Sequence, residues 1–178
     1  MTEIYHPDFT TFETLAAGAR LVPVYRRLMA DTLTPVLAFQ KIREGGRSFL
    51  LESVVGGERV ARNSFLGTAP FASLRAFGDR VVVERDGQAV ESRVTDPLEE
   101  LESLMRAYPS APVEGLPSFC GGAVGYAAYD AVRYVEDLPN VPPATFPCPD
   151  LCFMLFGELV IFDHINKTVY RIGNRNSC

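Results

Sequence analysis

Tryptophan is absent from this chain, histidine occurs twice and cysteine four times. The two histidines, His6 and His164, stand far apart. Asp163-His164 has the look of two members of a hydrolase triad, yet no G-x-S-x-G nucleophile elbow occurs, so His164 reads as a surface or capping residue. Cys148-Pro-Asp-Leu-Cys152 has a ligand-like spacing. Downstream of it lie only His164 and Cys178, without the paired spacing of a structural zinc site. Cys120, Cys148, Cys152 and Cys178 therefore read as free, partly buried thiols.

Long runs of one kind are missing as well. There is no basic run, and the formal net charge is −5, which removes the electrostatic footprint of nucleic-acid or anionic-membrane binding. No charged-then-apolar leader opens the sequence, and Leu151 to Phe162, its longest apolar run, is too short to span a bilayer. A cytoplasmic location is expected. No repeat or low-complexity tract is found. What is present is a composition 47% hydrophobic and 22% charged over 178 residues, which is sized for one globular domain with a real core.

Helix signals come first along the chain. Thr10 is expected to cap a helix with Glu13 as its capping-box acid, Phe12, Leu15, Ala16 and Ala19 lining one face. Thr34-Pro35 predicts a short helix to about Ile42. Asp96-Pro97-Leu98-Glu99 opens another, with Leu98, Leu101, Leu104, Met105 and Tyr108 at helical spacing. Strand signals lie between these helices. Leu21 to Tyr25 is expected at a sheet edge or bulge because it contains Pro23. Phe71 to Val94 reads as a meander turning at Gly78-Asp79 and Asp86-Gly87. Phe119 to Tyr126 predicts a strand bending at glycines into a short helix that ends near Val135. The prolines between 139 and 149 require an extended connection. Leu151 to Phe162 is expected as one strand buried on both faces, and Thr168 to Ile172 as the last strand. The fold class is α+β with mostly antiparallel sheets.

One stretch carries chemistry. Glu52 and Ser53 sit side by side in the apolar run Phe49-Leu-Leu-Glu-Ser-Val54, and a carboxylate among leucines and valines needs a positive or hydrogen-bonding partner. A ligand ammonium is one candidate; Arg59 or Arg62 is the other. In a regular strand Leu51 and Ser53 point one way and Glu52 the other. Gly121-Gly-Ala-Val-Gly125 lacks the full phosphate-binding fingerprint and reads as structural glycine at a bend. Glu99-Glu100 belongs to the solvated face of its helix.

Taken in order, Pro23-Val-Tyr25, Thr34-Pro35, Phe49-Leu-Leu-Glu-Ser53, Ser64-Phe-Leu-Gly67, Gly121-Gly-Ala-Val-Gly-Tyr126, Tyr129-Asp130, Arg133 and Glu136 resemble the N-terminal region of anthranilate synthase component I, over about residues 20 to 164. The resemblance implies part of a two-layer β-sandwich with flanking helices. It also implies a family that converts chorismate to anthranilate and pyruvate with Mg2+. Ammonia comes from a glutamine amidotransferase, component II, and L-tryptophan inhibits by feedback. The Leu-Leu-Glu-Ser motif of that family helps form the tryptophan site, which maps onto Leu51, Glu52 and Ser53. A free amino acid needs an acceptor for its ammonium, donors for its carboxylate and an apolar slot, and these residues with their backbone supply such groups.

Departures from the pattern bound that expectation. The family's chorismate- and magnesium-binding residues lie in a larger C-terminal part to which nothing here corresponds, and Asn63 stands where an aromatic is usual. No catalytic residue and no cofactor are assigned to this chain, which is expected to be inactive alone. Its expected partners are L-tryptophan, the C-terminal chorismate-binding part and component II, with self-association through exposed strand edges. The competing readings are the counterpart from aminodeoxychorismate synthase and a free-standing amino-acid-binding or interaction module.

Overall fold

A computed structural model describes residues 4–43, 45–52, 62–140 and 146–176. Two five-stranded antiparallel sheets and a few helices make up the fold, which is the expected α+β class. The chain gathers into two compact units, Met1–Pro70 with Tyr108–Gly122 and Phe156–Cys178, and Phe71–Ala107 with Ala123–Leu155.

In the first unit, helix α1 (Phe9–Ala16) leads to strand β1 (Leu21–Met29), and α2 (Pro35–Ile42) leads to β2 (Ser48–Leu51) and β3 (Asn63–Thr68). β9 (Glu158–Asp163) and β10 (Thr168–Asn176) complete a sheet in the order β1-β10-β9-β3-β2. Pro23 lies in β1 at the sheet edge, where a missing N–H is tolerated. β1 continues to Met29 and β10 to Asn176, both beyond their expected ends, because the two strands pair along their whole length from Leu21↔Asn176 to Met29↔Thr168. α2 begins as its sequence predicts, with the Thr34 hydroxyl accepting from the Leu37 N–H. α1 does not: Asp8, not Thr10, is its N-cap, accepting from the Thr11 N–H at 2.8 Å. Asp and Thr have the same capping chemistry, and only the path of the chain decides between them. α2 packs Ala38, Phe39 and Ile42 against Leu50, Leu66, Val160, Phe162 and Val169 on one face of the sheet.

The second unit holds the meander β4 (Ala72–Phe77), β5 (Arg80–Arg85) and β6 (Gln88–Arg93), helix α3 (Pro97–Arg106), β7 (Gly122–Ala127), a 3-10 turn (Tyr129–Tyr134) and β8 (Leu151–Phe156). Its sheet runs β6-β5-β4-β8-β7. Asp86 and Gly87 both adopt positive φ, 50° and 76°, as a tight primed hairpin turn requires. Asp96 caps α3 by accepting from the Leu98 and Glu99 N–H groups. Leu104 is buried, whereas Met105 of the expected apolar stripe is half exposed.

The apolar run from Leu151 to Phe162 is not one strand. It is β8 and β9, which belong to different sheets, with Gly157 between them. Burial explains the unbroken apolar composition, but composition carries no information about where pairing changes. The Gly157 carbonyl accepts from both the backbone N–H and the Nδ2 of Asn174.

Candidate functional site

β2 is an edge strand joined on one side to β3, with Ser48 opposite Thr68 and Leu51 opposite Phe65. Alternation sends Leu50 into the core beneath α2 and leaves Phe49 and Leu51 on the other face. On that face Phe49 meets Phe156 edge-on at a centroid distance of 4.8 Å, and Phe119 lies 5.4 Å from Phe65 and 6.4 Å from Phe49. Gly67 is opposite Phe49, and a Cβ there would overlap the Phe49 ring. The Ser-Phe-Leu-Gly motif thus supplies both an aromatic and the gap that seats its neighbour.

Leu51 closes the described ladder and is 49% exposed. Glu52 follows it, exposed and outside the strand, so the alternation that would oppose it to Leu51 no longer constrains it. Ser53 and Arg59 lie outside the described residues. The other candidate partner for Glu52, Arg62, is committed elsewhere: it pairs with Asp163 at 2.8 Å. The strand end therefore presents a half-exposed leucine, a neighbouring aromatic cluster and an exposed carboxylate. A strand edge adds backbone donors and acceptors. These are the groups that an aromatic amino acid needs.

Gly121 and Gly122 have φ of 157° and 125°, and the Cys120 carbonyl accepts from Asn174 Nδ2 at 3.0 Å. A Cβ on Gly121 would lie 2.6 Å from that same nitrogen. Further on, a Cβ on Gly125 would overlap the Cys152 carbonyl oxygen. Close approach of neighbouring atoms accounts for Gly121 and Gly125, and a positive φ for Gly122.

A second cluster was invisible in the sequence. Ser64 Oγ lies 2.8 Å from His164 Nε2, joining residues a hundred positions apart. His164 is thus a bonded, half-buried residue and not a surface one. The pair is not a hydrolytic dyad, because Ser64 is 1% exposed and the Asp163 carboxylate faces Arg62 and Asn166. A nucleophile must reach its substrate, and this one is closed off. Burial acts to raise the Asp163 carboxyl, but Arg62 and the Asn166 side chain and backbone N–H outweigh it and hold the group below the ordinary carboxylate value. Burial pushes the Cys120 thiol upward.

Among the described residues no group of three or more His, Cys, Asp or Glu side chains comes together to hold a metal. The magnesium that the family resemblance implies has no fitting donor set among them. No described helix is long and apolar enough to cross a membrane.

No protein-family model matches the chain. Anthranilate synthase component 1 of Acetivibrio thermocellus is 34% identical over 172 residues, covering 96% of this chain and 35% of that protein. The probable anthranilate synthase component 1 of Schizosaccharomyces pombe is 40% identical over 173 residues, covering 95% of this chain and 32% of that protein. The chain corresponds to a portion of anthranilate synthase component I. It spans about a third of the length of the curated relatives it matches. Among solved structures, anthranilate synthase component I from Streptococcus pneumoniae TIGR4 superposes with a TM-score of 0.53 at 26% identity, covering 84% of this chain and 32% of that one. The fold of the component I portion is therefore shared as well as its sequence.

Proposed function

We propose that this chain is the N-terminal, tryptophan-sensing portion of anthranilate synthase component I. The observation that carries the reading is the alignment of component I relatives along 95 to 96% of the chain. In this reading the full-length protein converts chorismate and glutamine-derived ammonia to anthranilate and pyruvate in tryptophan biosynthesis. It does so in the cytoplasm with Mg2+, and component II is the amidotransferase partner. The described chain contributes effector binding and not the reacting groups.

Leu51, Glu52 and Ser53 form one side of the L-tryptophan site. Glu52 accepts from the ligand ammonium, Leu51 with the neighbouring phenylalanines receives the indole, and Ser53 with nearby backbone N–H groups meets the carboxylate. Support for this assignment is the half-exposed Leu51 beside the Phe49, Phe65 and Phe119 cluster. The absence of tryptophan from the chain makes the test direct. L-tryptophan fluorescence, excited where tyrosine does not absorb, is followed as protein is added, with Ser53→Ala alongside. Saturable change lost in the variant is the expected result; no change with a folded wild-type chain overturns effector binding by this portion. Chorismate with ammonia and Mg2+ should yield no anthranilate from the chain alone.

A further inference from the structure

The face of the first sheet that carries α2 has a second feature beside that helix. Register places Arg26 directly opposite Arg171, and Arg171 opposite Val160. Two residues along, Val24, Gly173 and Glu158 form the next row on the same face. Gly173 has no side chain, so the sheet is hollow between Val24 and Glu158. At the end of α2, Lys41 and Ile42 close one side of this hollow.

Two cavities result, of about 480 and about 250 Å³, and they share Glu158, Arg171 and Ile172 as common wall. The larger falls in the range of small-molecule sites. Its apolar side chains are Ile42 and Val160, while Leu159 and Ile172, which also border it, alternate to the other face of the sheet. Thr68 lines it too, and the buried hydroxyl oxygen of that residue has no hydrogen-bond partner among the described residues.

Charge makes the hollow unusual for an acidic chain. Like charges directly opposite one another on neighbouring strands repel, and Arg26 and Arg171 are such a pair. Arg26 stacks on the Tyr5 ring. No ion pair is found for Arg171, Lys41 or Glu158 among the described residues. Lys41 and Arg171 thus face a hollow that holds one carboxylate, Glu158, which leaves its lining positive in a chain of net charge −5.

We propose that this hollow binds a small dianion, one carrying two carboxylate or phosphate-type oxyanion groups on a short apolar body. Arg171, with Arg26, takes one oxyanion through its planar fork. Lys41 takes the other, the Thr68 hydroxyl donates a further hydrogen bond, and the apolar body lies on Ile42 and Val160. The site is on the face opposite to Phe49 and Leu51, so it stands independently of the tryptophan reading.

The test is an amide NMR titration of the whole chain with succinate at constant ionic strength, and separately with inorganic phosphate and glycine. Saturable shifts are expected at residues 41–42, 68, 158–160 and 171–173 with succinate or phosphate, and none with glycine. Arg171→Gln and Lys41→Gln should each weaken binding about tenfold, the loss of one charge-assisted contact. Glu158→Gln should tighten it, since a carboxylate repels a dianion. All three side chains are exposed, and the amide spectrum itself reports folding. Unsaturable shifts, or binding unchanged in Arg171→Gln, overturn the site. Saturable shifts with glycine, whose ammonium Glu158 would accept, overturn the ligand class, and weaker succinate binding in Glu158→Gln removes the dianion from beside Glu158.

Discussion

Arg62 grips Asp163 through two nitrogens, Nη2 at 2.8 Å and Nε at 3.3 Å, both donating to Oδ2. Asn166 Nδ2 donates to that oxygen at 2.8 Å, while the Ile165 and Asn166 N–H groups donate to Oδ1. The carboxylate therefore organises the turn between β9 and β10 and ties the start of β3 to it.

Removing the carboxylate should cost more than removing its arginine. Asp163→Ala leaves two turn N–H groups without an acceptor and is expected to lose about 2–3 kcal/mol in urea unfolding. Arg62→Ala leaves Asp163 with its three remaining donors and should lose less, since Arg62 is 48% exposed and solvent already screens it. Equal losses would show that the ion pair, not the turn, dominates.

The same carboxylate predicts a pH dependence. Its folded pKa lies below the unfolded value of about 3.9, so its stabilisation is fully present above about pH 4 and is lost as pH falls through the folded value. Asp163→Asn cannot titrate. The stability gap between wild type and Asp163→Asn should be widest near neutrality and shrink toward pH 3 in paired urea melts. A gap independent of pH would remove Asp163 as a source of acid sensitivity.

Gly125 and Gly18 give a matched pair of alanine substitutions. At Gly125 a Cβ would overlap the Cys152 carbonyl, and backbone cannot swing aside, so Gly125→Ala should cost about 3 kcal/mol or more. At Gly18 nothing lies within 4 Å, so Gly18→Ala should be neutral or slightly stabilising. Thermal midpoints of the two variants check the contrast.

The features legible in the sequence were those set by neighbours in the chain. Thr34 before Pro35, Asp96 before Pro97 and Asp86 before Gly87 each place a donor, an acceptor or a positive φ within four residues, and each element begins or turns there. Thr10 misled because Asp8 stands two residues earlier with equivalent chemistry. The change of sheet at Gly157 was hidden because an apolar run reports burial and says nothing of pairing. Ser64 with His164, and Arg62 with Asp163, meet only through the pairing of β3 with β9, so no local pattern announces them. At the candidate site the motif reads Leu51 and Glu52 as members of one strand, whereas the strand ends at Leu51. The aromatic cluster around them needed the fold, since Phe119 joins from a distant segment.

That cluster gives the last prediction, aimed at the proposed tryptophan site. Gly67→Ala would push its Cβ into the Phe49 ring, which is a side chain and can rotate away where a carbonyl cannot. The fold should survive with a loss of about 1–2 kcal/mol, but Phe49 would leave its place against Phe156 and Phe119. If the indole of L-tryptophan rests beside Leu51 on this face, its affinity should fall about tenfold, the scale of one misplaced aromatic contact. Phe49→Leu combined with Gly67→Ala relieves the overlap without restoring the aromatic edge, so stability should recover while affinity does not. Recovery of both in the double variant would assign the effect to strand packing. Unchanged affinity in Gly67→Ala would move the indole away from this face altogether.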